Sequence, residues 1–250
     1  MRTPSANSSA SSKQRSASVR PTGAIAWLGG PPQVVSAIRA FADRRDAGRR
    51  LAGLLRQRAI GRAVVVAIPR GGVPVGAEVA AALGAPLDVA VVRKVGAARN
   101  PELAIGAIAE GGVRVLAEQT KSGLGSSAAR TVRALAKAEA ELVERSIELR
   151  GELAPLDLDG QTVIVVDDGL ATGHTAVAAI RAVRRRGAAR VILAVPVAAL
   201  SSVRALEAEA DEIVCVEQPE HLWAVGYWYE DFRPVDAAQV EELLERSTGG

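Results

Sequence analysis

The segment VIVVDDGLATGHT, residues 163–175, constrains the fold more than any other stretch of the chain. Its leading apolar residues predict a strand that is covered on both faces, and the small residues after the acids predict a tight turn into a helix. Asp167 and Asp168 end this strand side by side, where two carboxylates repel each other and lose hydration. We therefore expect a ligand at this strand end that compensates for the paired acids.

Strand-like and helix-like segments alternate along the chain from residue 41 onward. Continuous runs of Val, Ile and Ala are typical of buried parallel strands, and apolar residues at helical spacing lie between them. The predicted strands cover residues 63–68, 87–92, 104–108, 113–116, 162–167, 190–196 and 212–216, and the predicted helices cover 41–57, 73–83, 126–150, 175–186 and 201–208. This order predicts an α/β fold with an open, mainly parallel, twisted sheet and helices on both faces.

Composition divides the chain into a tail and one domain. Residues 1–22 are rich in Ser, contain Arg but no acid, and lack the apolar core of a secretory signal, which predicts a disordered tail. Residues 23–250 have a length that a single α/β domain can fill. Cys215 is the only cysteine in the sequence, so an intrachain disulfide is excluded and a reducing, cytoplasmic location is expected.

Hydropathy and charge exclude several classes of function. The sequence has no apolar run of the ~18 residues that a membrane-spanning helix needs, so no membrane contact is expected. Two histidines and one cysteine are too few for a zinc cluster. The whole chain has a net charge of +3, and residues 1–42 alone have a charge of +5. The remainder therefore carries 3 − 5 = −2, which argues against general nucleic-acid binding by the domain. RNA binding by the basic tail and the Arg-rich segment 41–58 is the weaker hypothesis that this charge distribution leaves open.

A phosphate group fits the turn that follows the two acids. In an open parallel sheet, ligands bind beyond the carboxyl ends of the strands. The turn 169–173 presents backbone N–H groups there, and a helix begins near Thr175 with its positive end toward the same space. Spacing excludes a dinucleotide fingerprint, which needs G-x-G-x-x-G, and a P-loop, which needs Gly-Lys-Ser/Thr. We expect a ligand with a phosphate for the turn and with hydroxyls or a divalent cation for the acids.

The run of four apolar residues, two acids and a phosphate turn ending in Thr resembles the phosphoribosyl pyrophosphate (PRPP) motif of type I phosphoribosyltransferases. The resemblance implies that the two acids bind the ribose hydroxyls and contact Mg²⁺ indirectly, through those hydroxyls or through water. It also implies that the turn binds the 5-phosphate. The residues implied in PRPP binding at this motif are Asp167, Asp168, Gly169, Ala171, Thr172, Gly173, His174 and Thr175.

The segment IPRGG, residues 68–72, resembles the pyrophosphate loop of the same family. In this loop Arg70 supplies positive charge, and Gly71 and Gly72 allow the backbone to approach a ligand closely. The resemblance implies that these three residues bind the pyrophosphate part of PRPP.

The segment RKVGAARNPELAIGAIAEGG, residues 93–112, resembles the mobile loop that closes over pyrophosphate in this family. Arg93 and Lys94 are implied to neutralise the charge of the leaving group, although a basic pair on a solvated surface is the alternative interpretation. The candidate catalytic residues are therefore Asp167, Asp168, Arg70, Arg93 and Lys94.

Aromatic residues concentrate near the C-terminus, where HLWAVGYWYEDF, residues 221–232, contains five of the seven rings in the chain. Members of the family form a small C-terminal hood over the acceptor in this region, which corresponds to about residues 217–235. Because rings stack on flat heterocycles, Trp223, Tyr227 and Trp228 are the candidate acceptor-binding residues. Packing within the hood or at a subunit interface is the alternative for each ring.

The resemblance implies a Mg²⁺-dependent enzyme that transfers the 5-phosphoribosyl group from PRPP to a nitrogen of a small acceptor and releases pyrophosphate. The expected acceptor is a nucleobase or a related heterocycle. Ala171 stands where 6-oxopurine enzymes carry an acid, which disfavours hypoxanthine and guanine, and the role of His174 stays open. A non-catalytic PRPP-sensing regulator is the alternative function. A homodimer is expected from the resemblance alone.

Overall fold

Short runs of Val, Ile and Ala form the centre of the computed structural model, which describes residues 41–97, 100–116, 124–151 and 153–248. In chain order, its helices and strands are α1 (Arg44–Arg56), β1 (Ala63–Ala67), α2 (Gly72–Leu83), β2 (Leu87–Val89), β3 (Val92–Ala97), β4 (Asn100–Ala109), β5 (Val113–Leu116), α3 (Leu124–Arg150), β6 (Thr162–Val166), α4 (His174–Arg185), β7 (Arg190–Val197), α5 (Leu200–Leu206), β8 (Glu212–Glu217) and α6 (Ala237–Thr248). The tail predicted at residues 1–22 lies outside the described residues.

Five parallel strands form the main sheet in the order β2-β1-β6-β7-β8, which confirms the predicted α/β class. Side chains alternate along β1: Val65 and Ala67 pack in the apolar cluster that includes α1 and α2, whereas Val64 and Val66 pack in the cluster that includes α4. Burying a Val side chain contributes about 1.5–3 kcal/mol. Both faces of β1 gain this contribution, which is why its residues are apolar throughout, and helices cover both faces of the sheet, as predicted.

Strands β1 and β6 are neighbours, and their carboxyl ends pair Ala67 with Val166. The backbone N–H of Ile68 then donates to the carbonyl of Val166 at 2.7 Å, which holds the two strand ends together. As a result, the turn 68–72 after β1 and the turn 167–173 after β6 leave the sheet side by side. Two motifs that are far apart in sequence therefore meet at one edge of the sheet.

A second, three-stranded antiparallel sheet has the order β3-β4-β5. It packs through Ala107, Ala109 and Val113 onto the small residues Ala178 and Ala182 of α4. The range 93–112, which resembles a mobile loop in sequence, forms strands β3 and β4 and a 3-10 turn wherever it is described, and the strand predicted at 104–108 lies within β4.

The C-terminal end of α3 is fixed by a buried ion pair between Arg150 and Asp88. Nε of Arg150 lies 3.3 Å from Oδ1 of Asp88, and its Nη2 donates to the carbonyl of Val89 at 2.5 Å. Arg186 of the segment after α4 contacts the other oxygen of Asp88 at 3.1 Å. Breaking a buried pair of this kind costs about 3–5 kcal/mol, so the end of α3 is held firmly against the edge of the main sheet.

The hood predicted at about 217–235 consists of irregular chain and the 3-10 turn Val225–Trp228. It pairs with the chain just before α1, because the N–H of Phe41 donates to the carbonyl of Trp228 at 3.0 Å. Helix α6 follows the hood and had no counterpart in the sequence prediction. Within the described ranges, no helix has both the length and the apolar composition required to cross a bilayer.

Candidate active site

Asp167 and Asp168, here called the acid pair, directly follow β6 and lie against the turn that follows β1. A Cβ atom on Gly71 would collide with Oδ2 of Asp168 and lie 2.7 Å from its Cγ. A Cβ atom on Gly72 would lie 2.7 Å from the carbonyl oxygen of Val166 and 2.9 Å from Cα of Asp167. Real Cβ contacts are not this short, so the two glycines are what allows the two turns to touch.

Asp168 forms an ion pair with Arg44, the first residue of α1, with Nε of Arg44 2.8 Å from Oδ2 of Asp168. The two side chains are only 11% and 15% exposed. The Arg44 guanidinium lies 3.9 Å from the ring centroid of Phe232 and donates to the carbonyl of Arg233 at 2.9 Å. The hydroxyl of Tyr229 donates to the carbonyl of Asp168 at 2.6 Å. Helix α1 and the hood thus hold Asp168 from two sides.

Burial raises the pKa values of both members of the acid pair, and repulsion by Asp168 adds to the shift of Asp167. The pKa of Asp167 is raised well above its usual value, mainly by burial and further by the charge of Asp168. The backbone N–H of Asp168, 2.9 Å from Oδ1 of Asp167, opposes this shift. For Asp168, burial also raises the pKa, and Arg44 is the main opposing influence. The charge of Lys94 lowers both pKa values. Two neighbouring acids with raised pKa values are a site for a group that stabilises their ionised forms.

The turn 169–173 connects the acid pair to the N-terminus of α4. Gly173 has φ of 74°, a left-handed conformation that favours glycine, and as the N-cap it offers no side chain to the N–H groups of the first helical turn. A Cβ atom on Gly169 would lie 2.6 Å from Cγ1 of Val225 in the hood. The free N–H groups and the dipole of the twelve-residue helix α4 together favour an anion here.

Leu170 of this turn is buried in the core, whereas the other side chains around the turn are exposed or half-buried. Ala171 and Thr172 are exposed, and the carbonyl of Ala171 accepts from the hydroxyl of Ser202 at 2.6 Å. Nδ1 of His174 lies 3.3 Å from the hydroxyl of Thr172, and Thr175 is half-buried in the first turn of α4. The turn is therefore anchored by α5 and still presents its outer surface to solvent.

The predicted basic residues Arg70 and Arg93 lie in ion pairs with acids of α3. Nη2 of Arg70 is 2.8 Å from Oε1 of Glu148, and Nη2 of Arg93 is 2.7 Å from Oε2 of Glu141. The Pro69–Arg70 peptide bond in this turn is cis. Lys94 is exposed, and its charge acts on the acid pair. These cations border the same edge of the sheet as the acid pair, on the side of α3.

The three rings predicted to bind an acceptor occupy different environments. Trp223 and Tyr227 are 67% and 51% exposed, whereas Trp228 is half-buried and packs against the apolar cluster around Phe41 and Tyr229. Tyr229, which sequence did not select, is the ring that contacts the acid pair. Trp223 and Tyr227 have exposed surface that could stack on a ligand, and Trp228 contributes to the packing of the hood.

Sequence analysis did not identify Arg44, and it counted Tyr229 and Phe232 only as rings of the aromatic segment 221–232 without selecting them for the site. Arg44 follows Asp43, whose side chain accepts from the N–H of Asp46 and caps α1. This capping signal locates the start of a helix but does not reveal that Arg44 turns toward a strand end 124 residues later. A sequence pattern can identify such a residue only once the fold is known.

A resident metal cluster is not found among the described residues, where no three His, Cys, Asp or Glu side chains gather around one point. The acid pair offers two carboxylates for a metal ion. Mg²⁺ usually keeps several waters or substrate oxygens when it binds to one or two carboxylates. The donor set therefore fits a Mg²⁺ ion that arrives with a phosphorylated ligand.

Residues 35–231 match the family model described as phosphoribosyl transferase domain. A curated relative from Mycobacterium tuberculosis (strain ATCC 25618 / H37Rv), named "Putative phosphoribosyl transferase Rv0571c", is 44% identical over 207 residues, which is 83% of this chain and 47% of the relative. The chain thus spans about half the length of the curated relatives that it matches across most of its own length. A uracil phosphoribosyltransferase from Lactobacillus gasseri is 44% identical over 77 residues, 30% of this chain and 37% of that protein.

Among solved structures, the crystal structure of TT1426 from Thermus thermophilus is similar to this chain. The two share 41% sequence identity with a TM-score of 0.68, and the match covers 82% of this chain and 98% of that one. This likeness agrees with the sheet order and the two-sided helix packing described above.

Proposed function

Because the chain belongs to the phosphoribosyl transferase domain family, we propose that it transfers the 5-phosphoribosyl group from PRPP to a nitrogen of a small acceptor and releases pyrophosphate. The observation that carries this proposal is the contact between the acid pair and the Gly71–Gly72 turn. That contact joins the two halves of a site that could take a sugar phosphate on one side and a pyrophosphate on the other.

The acid pair suits the 2- and 3-hydroxyls of the ribose, because ionised carboxylates are strong acceptors of hydroxyl hydrogen bonds. Arg44 contacts Oδ2 of Asp168 and the N–H of Asp168 donates to Oδ1 of Asp167, which leaves the other oxygen of each acid for the sugar. The N-terminus of α4 suits the 5-phosphate, which needs N–H donors and a positive dipole. The ribose would then lie between the acid pair and the turn 169–173, with its C1 atom directed toward the Gly71–Gly72 turn.

Displacement of pyrophosphate requires that its developing charge is neutralised and that water stays away from C1. Arg70, Arg93 and Lys94 border the proposed leaving-group side and supply cationic donors. When bound near the acid pair, Mg²⁺ would supply further neutralisation of the leaving-group charge. The protein itself would contribute mainly fixed positions, because the acid pair and the glycine turn are part of the packed sheet edge.

The acceptor side of the proposal rests on the hood. Trp223 and Tyr227 are exposed rings in the hood, which contacts the acid pair through Tyr229, and such rings stack on flat heterocycles. A nucleobase or a related heterocycle is therefore the acceptor class that we propose, with attack by a ring or exocyclic nitrogen on C1.

Calorimetric titration with Mg²⁺ and PRPP tests the site. Asp168→Asn removes the charge that Arg44 balances, so we expect at least about a tenfold loss of affinity, in line with the loss of a charged hydrogen-bonding group. Asp157→Asn is the matched control, because Asp157 is an exposed acid that also accepts a backbone N–H, at 3.1 Å. Equal affinity in the wild type and in Asp168→Asn would contradict the proposed ribose site.

Turnover separates an enzyme from a PRPP sensor. The wild-type protein is incubated with Mg²⁺ and PRPP and a panel of nucleobases, and the pyrophosphate that is released is measured. We expect release that depends on one class of acceptor and is lost in Asp168→Asn. Tight retention of PRPP without release in any mixture would instead support the regulatory alternative.

A further inference from the structure

Helix α3 adds a third arginine to the cations beside the Gly71–Gly72 turn. We propose that Arg145 is a pyrophosphate-binding residue, and that Glu148 occupies Arg70 and Arg145 together until the anion displaces it. The inference rests on the proposed function, because it assigns a residue to the leaving-group side of the same site. We call Arg70, Arg93, Lys94 and Arg145 the basic cluster.

One carboxylate bridges two members of the basic cluster. Oε1 of Glu148 lies 2.8 Å from Nη2 of Arg70, and Oε2 of Glu148 lies 3.5 Å from Nη1 of Arg145. The two guanidinium groups are thus close enough to share a single anionic group. A phosphoryl group also presents several oxygens to neighbouring guanidinium groups, so it can take the place of this carboxylate.

Arg70 has unused capacity to bind an anion. Its Nε atom is buried and, among the described residues, makes no hydrogen bond. A buried donor without an acceptor costs about 1–3 kcal/mol. A ligand oxygen that accepted a hydrogen bond from this Nε atom would remove that cost. Glu148 in its present position does not accept this hydrogen bond.

The cations of the cluster act on one another. Burial lowers the pKa of Arg145 most, the positive charges of Arg70 and Arg93 lower it further, and Glu148 opposes them. Arg145 is therefore near both other arginines, although its only ion pair among the described residues is the longer one to Glu148. A more highly charged anion would stabilise all three arginines together.

Acids of α3 leave the basic cluster with an excess of positive charge. Glu148 faces Arg70 and Arg145, and Glu141 faces Arg93 at 2.7 Å. The exposed Lys94 adds a fourth cation, so the four cations of the cluster face two acids of α3, one of which, Glu141, also pairs with Lys137 at 3.8 Å. Pyrophosphate carries more negative charge than one carboxylate, which explains how it would displace Glu148 rather than bind beside it.

The first experiment compares two arginines that both pair with an acid of α3. Arg145→Gln is expected to lower the affinity for Mg²⁺-pyrophosphate by about tenfold, because a cationic donor is lost. Arg114→Gln is the matched control: Arg114 contacts Glu139 of the same helix at 2.6 Å, outside the basic cluster. We expect less than about a twofold change for this control. Equal losses in the two variants would overturn the role of Arg145.

The second experiment tests the displacement of Glu148. Glu148→Gln removes the competing carboxylate, so we expect the affinity for pyrophosphate to rise by about threefold or more. Glu139→Gln, the control with the same change in net charge, should change this affinity by less than about twofold. A fall in affinity in Glu148→Gln would mean that Glu148 orients the arginines for the ligand, and it would overturn the competing role.

A pair of partial ligands distinguishes failure of this inference from failure of the proposed function. Arg145→Gln should weaken the binding of pyrophosphate and of PRPP but leave ribose 5-phosphate unchanged, whereas Asp168→Asn should weaken ribose 5-phosphate and PRPP. Arg145→Lys should recover part of the lost affinity, and thermal melting checks that each variant is folded. If PRPP binding depends on Asp168 but not on Arg145, only this inference is overturned. If the wild type binds none of the three ligands, both are overturned.

Discussion

The two ends of the candidate site balance their charges in opposite ways. At one end, the acid pair is largely withdrawn from water, and Asp168 forms an ion pair with the buried Arg44. At the other end, the basic cluster is half-exposed and each of its arginines already faces an acid of α3. A buried charge with too little compensation lowers the free energy of unfolding, and packing holds it in a fixed position. An exposed, paired charge has little effect on the free energy of unfolding and can exchange its partner. The comparison predicts that equal changes of charge at the two ends have unequal effects.

The largest effect is expected from Arg44→Gln. Removing one partner of a buried ion pair leaves the other charge uncompensated, which costs about 3–5 kcal/mol. For a protein of this size, 1 kcal/mol corresponds to about 2–4 °C in Tm, so Tm should fall by about 6 °C or more. Arg49→Gln is the control, because Arg49 is 58% exposed and lies 3.8 Å from its acid. A fall in Tm no larger than that of the control would show that Asp168 does not depend on Arg44.

Gly71→Ala should have the next largest effect. The added Cβ atom would collide with the Asp168 carboxylate, and overpacking of this kind costs about 1–3 kcal/mol. PRPP affinity should fall as well, because the collision moves the acid that is proposed to bind the ribose. Gly53→Ala is the matched control: nothing lies within 4 Å of a Cβ at that position in α1, and Ala should stabilise the helix by about 0.5–1 kcal/mol. Opposite signs of the two changes in Tm are therefore expected, and equal signs would contradict the packing argument.

The two ends of the site also differ in how far sequence could predict them. The acid pair and the glycine turns follow directly from strand ends, and all parallel strands end at the same edge of the sheet. Local patterns therefore place both motifs at one edge, whereas their contact depends on β1 and β6 being neighbours, which no local pattern records. The fold class and the family resemblance are confirmed for the same reason, because both depend on buried strands and short motifs.

Residues that reach the site from other elements were not predictable. Arg44 is in a helix, Tyr229 is in irregular chain, and each meets Asp168 through tertiary packing that no spacing records. Arg145 likewise is in a charged helix, where such residues usually contact only solvent. In the range 93–112, the apolar run at 104–108 predicted a strand, which β4 confirms, whereas the Gly, Asn and Pro residues before it gave no signal for the pairing of β3 with β4.

Asp167→Asn should stabilise the free protein, in contrast to Arg44→Gln. The folded-state pKa of Asp167 is raised above 3.8, so in the wild type the folded state loses stability as pH rises from the unfolded value through the folded value. The variant lacks this loss, and its amide oxygen can still accept the N–H of Asp168. We expect a gain of about 1 kcal/mol at pH 8, or about 2–4 °C in Tm, and no gain near pH 4. Thermal melting of both proteins across this range measures it, and a lower Tm for the variant at pH 8 would show that burial and repulsion by Asp168 do not disfavour the charge of Asp167.

The smallest effect on stability is expected from Arg93→Gln, which makes the same chemical change as Arg44→Gln at the opposite end of the site. The side chains of Arg93 and Glu141 are 41% and 31% exposed, so water compensates for the loss of their ion pair. Exposed pairs contribute about 0–1 kcal/mol, and Tm should change by no more than about 2–4 °C. Pyrophosphate affinity should nevertheless fall, because the basic cluster loses one of its four charges. A stable protein with weakened pyrophosphate binding would show that this end holds its charges for a ligand, whereas a fall in Tm as large as that of Arg44→Gln would show that the Arg93 pair supports the fold.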